Sequence, residues 1–515
     1  MEWFDDWALT LAVFLPLVGM VLVLLIPRAQ EQAMKVTALL TALVTGAVGI
    51  GIMVDFNYEA GGKLQFQANE SWIDVIKSRY HVGIDGIALP LLILSMLIVI
   101  ACIIYSWDHF PEPRNIKGFL ALILLLEVGM NGTFVAQDLI LFFIFFELVL
   151  LPMFFMIGVW GGPNREYASI KFFLFTLFGS ALMLVGFLAL FFVSKQQTFD
   201  MVELSNFAGA GIDHTTQMLI FGGFFLGFAI KVPMFPFHTW LPDAHTEAPT
   251  VGSVLLAAIL LKLGTYGFIR IALPMLPDAA ADWAPFIGLL AVIGIIYGAL
   301  CCLAQRDMKR LIAFSSVAHM GFVMLGIATL TDFGLNAAVF GMVAHGLITG
   351  MLFFIAGSVQ ERYETREMSR LGGLLTQAPK LGWILGFCTM ASLGLPGLAG
   401  FWGEFPAVLS AYSPAKVLDG LVGDGSALWT YRTYMVIAAI GTVLAAGYLL
   451  VMLQRVAFGA PKSEFESAHI HDLHVPEWLA WTPLLLLIVA LGIYPNLLFD
   501  VTDGAVGSVT KVFGG

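Results

Sequence analysis

Apolar stretches long enough to cross a lipid bilayer recur about 14 times along the chain, which strongly limits what it can fold into. Hydrophobic residues make up 59% of the 515 positions and charged residues 12%, about half of the ~25% typical of soluble domains. Because lipid offers no hydrogen-bond partners, runs of this length favour helices. We therefore predict an all-α polytopic membrane protein of about 14 transmembrane helices. The predicted spans lie near residues 8–27, 34–54, 85–107, 116–136, 138–158, 167–194, 216–240, 249–272, 283–304, 309–330, 334–360, 380–410, 431–456 and 479–501.

The seventh and twelfth predicted spans are interrupted. In the seventh, Lys231 is followed by Pro233 and Pro236, and the twelfth contains LGLPGLAGFWGE over residues 393–404, with Glu404 ending the break. Paired interruptions in two halves are typical of internally repeated transporters, and an odd number of helices per unit makes the units inverted. We expect N-terminal helices over 1–115, a first five-helix repeat over 116–272, a second, inverted repeat over 283–456, and a cytoplasmic loop with the last helix over 457–515.

The distribution of lysine and arginine predicts the orientation of the chain. An even number of spans puts both termini on one side, and basic residues are nearly twice as frequent in loops after odd-numbered spans. Since basic loops stay in the cytoplasm, both termini are predicted to lie outside it. The net charge of −11 argues against nucleic-acid binding, and the four cysteines lack CxxC spacing, which argues against disulfides, zinc and iron–sulfur ligands.

Ionisable residues occur well inside the apolar runs. A charge at the centre of a transmembrane helix costs about 3 kcal/mol on insertion scales and is read as functional by default. A purely packing role could be filled by serine, threonine or asparagine at lower cost. The candidates are Glu147, Lys231, Lys262, His319, His345 and Glu404, with Glu127 as a further candidate of lower weight.

These residue types support proton transfer. Burial destabilises the charged form of a lysine, and a nearby carboxylate restores it. A glutamate that approaches and leaves the lysine would therefore load and unload a proton, and we interpret Glu147 and Lys231 as such a pair. The other members of the relay would be Lys262, His319, His345 and, as the counterpart of Lys231 in the second repeat, Glu404.

Two other interpretations of histidines are weaker. His469, His471, Asp472 and His474 precede the last span and could bind a metal, although a solvated loop is the simpler interpretation because no cysteine accompanies them. His319 and His345 could ligate haem, but they are isolated on their helices. Walker, HExxH and GxGxxG motifs do not occur.

Two long segments resemble one family. Residues 231–250 read KVPMFPFHTWLPDAHTEAPT and residues 305–321 read QRDMKRLIAFSSVAHMG. Both resemble the antiporter-like membrane subunits of proton-pumping NADH:quinone oxidoreductase, respiratory complex I. The M-type branch matches best, because L and N types usually carry a lysine where this chain has Glu404. The chain departs from the family at Phe146, where tryptophan is common, and at Phe314, where tyrosine is usual.

The resemblance implies a proton-translocating subunit without a redox centre of its own, in the bacterial cytoplasmic (inner) membrane. It implies L-type and N-type neighbours, and it assigns NADH, FMN, iron–sulfur clusters and quinone to partner subunits. It also carries over Glu147, Lys231, Lys262, His345 and Glu404 as proton-conducting groups. Two alternatives stay open at this point: a secondary cation/proton antiporter subunit of the Mrp type, which shares the fold, and a purely structural membrane subunit.

Overall fold

The computed structural model describes residues 2–419 and 426–514, so Met1, residues 420–425 and Gly515 lie outside the description. Within these ranges, twelve helices are long and apolar enough to cross a membrane. They are Phe4–Leu25, Glu31–Asp55, Ala88–Tyr105, Ile116–Val135, Leu139–Trp160, Arg165–Val193, Thr250–Met275, Pro277–Leu303, Met308–Ala328, Asp332–Tyr363, Ser426–Ala457 and Val475–Ile493. The chain is therefore a multi-pass integral membrane protein.

The two predicted spans missing from these twelve are the interrupted ones. The first interrupted segment (residues 214–247) is a helix His214–Lys231, an irregular stretch, and a short helix Trp240–Glu247. The second interrupted segment (residues 379–410) is a helix Pro379–Ser392 followed after a turn by a helix Ala399–Ser410. Proline supplies no amide donor and clashes with the preceding turn, which explains why each first helix ends where it does.

Two of the twelve spans are irregular inside the bilayer. Leu139–Trp160 consists of helices Leu139–Leu148 and Leu150–Trp160 joined at Val149. Thr250–Met275 contains two π-helical turns, Leu256–Leu260 and Phe268–Ala272. Such turns widen a helix locally and frequently mark functional sites.

A β-hairpin lies between the second and third spans, and the sequence did not indicate it. Its strands, Gln65–Ile73 and Ser78–Ile84, pair antiparallel. Outside the spans there are also short helices and turns of 3-10 type. These elements are Tyr58–Ala60, Asp74–Ile76, Met201–Phe207, Leu374–Gln377, Lys416–Leu418, Asn496–Thr510 and Lys511–Phe513.

Burial separates central from peripheral spans. Asp332–Tyr363, Met308–Ala328 and Thr250–Met275 are surrounded by other helices along almost their whole length. By contrast, Glu31–Asp55 and Arg165–Val193 expose large apolar side chains, as expected of faces that meet lipid. Charged groups on the central helices are therefore shielded from lipid.

Candidate functional site

Lys262 lies at the centre of the most buried part of the protein. It follows the π-helical turn Leu256–Leu260 and is fully buried. Its Nζ donates a hydrogen bond to the carbonyl of Ala257 (2.5 Å) and lies 2.6 Å from Nδ1 of His345. A lysine ammonium has only donors, so Nδ1 of His345 accepts this hydrogen bond when Lys262 is protonated.

His345 leads to a second hydrogen-bonded pair. Its ring centroid is 5.9 Å from that of His319, whose Nδ1 lies 2.5 Å from Oε1 of Glu404. On the other side of the His319 ring, Nε2 faces the hydroxyls of Ser392 and Tyr448, each at 3.3 Å. Lys262, His345, His319 and Glu404 thus form one row of two hydrogen-bonded pairs, and no hydrogen bond joins the two histidines among the described residues.

A small cavity lies beside the two histidines. Its volume is about 20 Å³, and its polar lining comes from His319, His345, Thr349, Ser392 and Glu404. A cavity needs about 10–15 Å³ and two or more polar partners to hold one water. It is therefore large enough and polar enough for a single water to bridge the histidines.

Glu147 and Lys231 are near each other but not bonded. Lys231 ends the helix His214–Lys231 and is 2% exposed, and its Nζ lies 4.7 Å from the ring centre of Phe146. Glu147 is close enough to interact with Lys231 electrostatically and also interacts with Ser180. Among the described side chains, however, no ion pair within 4.0 Å joins Glu147 to Lys231.

The six candidates therefore fall into two groups. Glu147 and Lys231 form one, and Lys262, His345, His319 and Glu404 form the other. Over residues 2–419 and 426–514, no hydrogen bond connects Lys231 to Lys262. Glu404 lies inside the helix Ala399–Ser410 rather than at the end of the break, because the helix resumes five residues before it.

Three buried polar atoms of the six candidates have no hydrogen-bond partner within the part of the chain that the structure describes. They are Nζ of Lys231, Nε2 of His345 and Oε2 of Glu404. Buried polar groups are nearly always paired, so such atoms are where water or a transient partner enters. Glu127 is also fully buried with both oxygens unpartnered, away from either group.

The sequence analysis missed His245. It lies on the short helix Trp240–Glu247, is fully buried, and stacks on Phe353 with ring centroids 4.5 Å apart. Both ring nitrogens lack a partner among the described residues, and Lys262 and Lys309 lie within electrostatic range. The position of His245 soon after the helix break was a feature of the sequence that could have identified it as a candidate. For Tyr448 the sequence offered no such feature.

The histidine-rich loop before the last span has a structural role. Asp472 accepts the backbone amides of Lys380 and Leu381 and so caps the start of the second interrupted segment. Arg362 donates to the carbonyls of His471 and Asp472. In the described ranges no group of three His, Cys, Asp or Glu side chains is placed to hold a metal ion.

Comparison with known proteins identifies the family. The family model described as the transmembrane region of the NADH:quinone oxidoreductase/Mrp antiporter matches residues 136–419. NADH-quinone oxidoreductase subunit M of Rickettsia prowazekii (strain Madrid E) is 39% identical over 496 residues, covering 96% of each chain. The chain belongs to the subunit M family of NADH-quinone oxidoreductases. The M subunit of Rhodobacter capsulatus is also 39% identical, covering 98% of this chain and 96% of its own.

Solved structures share the fold of this chain. A chain of respiratory complex I from Thermus thermophilus with bound NADH is 29% identical, with a TM-score of 0.86. The match covers 98% of this chain and 100% of the Thermus thermophilus chain. A chain of the Mrp complex from Dietzia sp. DQ12-45-1b has a TM-score of 0.83 but is 18% identical, covering 99% of this chain and 98% of its own. That likeness shows a shared fold. The 39% identity to M subunits of NADH-quinone oxidoreductase, over at least 96% of this chain, places it with the oxidoreductase rather than with the Mrp complex.

Proposed function

We propose that this chain translocates protons in the membrane arm of NADH-quinone oxidoreductase and holds no redox centre. NADH, FMN, iron–sulfur clusters and quinone would be bound by partner subunits, and L-type and N-type subunits would flank it. The protein would lie in the bacterial inner membrane with both termini outside the cytoplasm. The division into 1–115, 116–272, 283–456 and 457–515, with two inverted repeats, belongs to the same proposal.

The observation that carries the proposal is the row of titratable groups from Lys262 to Glu404. Lys262 donates to His345 at 2.6 Å, and Nδ1 of His319 lies 2.5 Å from Glu404, with a cavity large enough for one water lined by both histidines. A proton on Lys262 could pass to His345, cross to His319 and reach Glu404. Each transfer would need only a hydrogen-bond shift or one bridging water.

Glu147 and Lys231 would act as the switch. A cation that faces only an aromatic ring depends on its nearest carboxylate for stabilisation, so movement of Glu147 would change how firmly Lys231 holds its proton. Moving one proton against ~200 mV costs about 4.6 kcal/mol. Two unit charges at 4 Å interact by about 4 kcal/mol at an effective dielectric constant of 20, which is the same order.

The test uses the assembled complex in inverted membrane vesicles, with proton pumping followed by acridine-dye quenching after NADH addition. Lys262→Met removes the first group of the row and should reduce pumping at least tenfold. NADH oxidation by a hydrophilic acceptor, which reports assembly of the redox arm, should stay near the parental rate. Lys35→Met is the matched control, since Lys35 also donates to a backbone carbonyl, that of Trp107, but lies outside the row.

Normal pumping by both Lys262→Met and Glu404→Gln would contradict the proposal and leave a structural role. Cation/proton exchange catalysed by the chain without any NADH-linked subunit would instead support the Mrp-type alternative.

A further inference from the structure

An open cavity of about 720 Å³ lies at one end of the helix Ser426–Ala457, far from the proton-relay candidates. Three cations line it: Arg306, Arg455 and Lys462. Their side chains form no hydrogen bond or ion pair with any part of the chain that the structure describes. The one carboxylate in the lining, Glu367, already accepts a hydrogen bond from Ser369 at 2.6 Å.

Two arginines close in the sequence to lining residues of this cavity are paired with carboxylates, whereas among the described residues the three cations of the cavity are not. Arg370 binds Glu464, and Arg366 binds Asp307. Three cations and the single carboxylate of Glu367 leave the lining of the cavity with a net positive charge, and the cations repel one another. An anionic ligand would remove that repulsion.

The cavity lies at the level where membrane head groups would be. Arg306 follows the span Pro277–Leu303 by three residues, and Arg455 is in the last turn of the span Ser426–Ala457. These two spans pack against each other. Just below the cations, their outer surfaces expose Leu300, Leu303 and Leu450, with about half of each side chain accessible.

We propose that this cavity binds the phosphate head group of an anionic phospholipid. Arginine and lysine are the natural partners of phosphate oxygens, and arginine can bind two of them at once. The exposed leucines would hold the acyl chains, so the polar and apolar parts of the surface fit the two parts of one lipid. Basic pockets at the cytoplasmic ends of transmembrane helices bind such head groups, and the charge bias predicts this side to be cytoplasmic.

The exposed leucines beside the cavity favour a phospholipid over two other anionic occupants. An acidic segment of a neighbouring subunit or free phosphate would satisfy the cations but leave the leucines without a role. The proposed lipid site is separate from the proton-relay candidates, because its cavity shares no lining residue with the cavity beside His319 and His345.

The test uses the complete complex in phosphatidylcholine nanodiscs containing a small fraction of photoactivatable phosphatidylglycerol. After illumination, peptide mass mapping should find adducts in residues 296–306 and 447–462. Arg455→Gln combined with Lys462→Gln should weaken binding about 30-fold, at about 1 kcal/mol per basic residue. Arg28→Gln combined with Lys380→Gln removes two exposed, unpartnered cations outside the cavity and should leave the adducts unchanged.

Three results would overturn the proposal. Equal loss of adducts in both double variants would mean that only the overall charge matters. Displacement of the labelled lipid by millimolar inorganic phosphate, but not by phosphatidylglycerol, would indicate a free-anion site. Cross-links from the cavity to an acidic segment of a neighbouring subunit, with no lipid adduct, would identify a protein partner instead.

Discussion

Two buried lysines of this protein have the same chemistry but different surroundings. Lys262 is bonded to a backbone carbonyl and to His345, so its charge is stabilised by fixed partners. Nζ of Lys231 lies over the face of Phe146 and has no hydrogen-bond partner among the described residues, where Glu147 also forms no ion pair with it. A proton on Lys231 is therefore the more sensitive of the two to small movements of neighbouring groups.

The ring of Phe146 should contribute directly to that sensitivity. A desolvated cation–π contact is worth up to about 2 kcal/mol, and tryptophan is the strongest partner. We expect Phe146→Leu to slow NADH-driven pumping by about three- to thirtyfold, and Phe146→Trp to pump at or above the parental rate. Vesicle pumping rates at saturating NADH would measure both.

The control for this prediction is Phe142→Leu. Phe142 stacks on Phe146 with ring centroids 5.6 Å apart, but it makes no cation–π contact with Lys231. The substitution Phe142→Leu removes a similar apolar area but leaves the cation–π contact of Lys231 in place. If Phe142→Leu and Phe146→Leu slowed pumping equally, packing rather than the cation–π contact would be responsible.

At the scale of helices, the row depends on one close crossing. Gly403, next to Glu404, lies against Gly341 on the helix that carries His345, and a Cβ on Gly403 would be 2.5 Å from the Gly341 Cα. Small residues allow helices to approach this closely inside a membrane. The absence of side chains at Gly403 and Gly341 therefore partly sets the spacing between the helix that carries Glu404 and the helix that carries His345.

Gly403→Ala should push the two helices apart and reduce proton pumping at least tenfold, with the complex still assembled. Gly447→Ala is the control, because nothing lies within 4 Å of a Cβ at that position and alanine favours the helix. Pumping and assembly by native gel electrophoresis would be measured together. Parental pumping by Gly403→Ala would mean that the crossing tolerates expansion and does not set the geometry of the row.

A buried hydrogen bond between His81 and Asp200 joins the β-hairpin to the short helix Met201–Phe207. Nδ1 of His81 lies 2.6 Å from Asp200, which also accepts the amides of Val202 and Glu203. Burial raises the pKa of Asp200, but the hydrogen bonds from His81 and these amides outweigh it and hold the pKa below its usual value. A carboxyl group with a lowered pKa stabilises the fold above its ordinary pKa and loses that contribution as the pH falls.

We therefore expect Asp200→Asn to loosen the hairpin at neutral pH by about 1.5–3 kcal/mol, the value of a hydrogen bond to a charged group. Asparagine still caps the following helix, so the loss isolates the contact with His81. Hydrogen–deuterium exchange of residues 65–84 would report it, and the parental protein should lose the same protection only below about pH 4. Asp213→Asn changes an exposed capping aspartate and should leave exchange of the hairpin unchanged. Faster exchange of the hairpin in Asp213→Asn would point to general fraying of helices instead of loss of the His81 contact.

At the scale of the whole molecule, hydrophobic run length predicted twelve spans that the described residues contain, and the two interrupted segments are not among them. The boundaries agree closely at 116–136 against Ile116–Val135, but the last span was predicted at 479–501 and is Val475–Ile493. The hairpin over residues 65–84 was not predicted because its strands are short and the first strand shows no regular alternation of apolar and polar residues. The identity of the row members was readable because each is an ionisable residue in an apolar run. Their pairing was not, because the contact of His319 with Glu404 joins positions 85 residues apart.

Orientation is the remaining property that the charge pattern predicts for the whole chain. If both termini lie outside the cytoplasm, Lys511 and Lys195 face outward and Lys462 faces inward, and all three side chains are exposed. Single Lys→Cys substitutions should react with a membrane-impermeant maleimide accordingly: Lys511→Cys and Lys195→Cys in intact cells whose outer envelope is permeabilised, and Lys462→Cys only in inverted vesicles. The parental chain provides the background, since three of its four cysteines are buried and Cys301 is only partly accessible. Labelling of Lys462→Cys from outside, with Lys511→Cys protected there, would invert the orientation and place the proposed lipid site in the opposite leaflet.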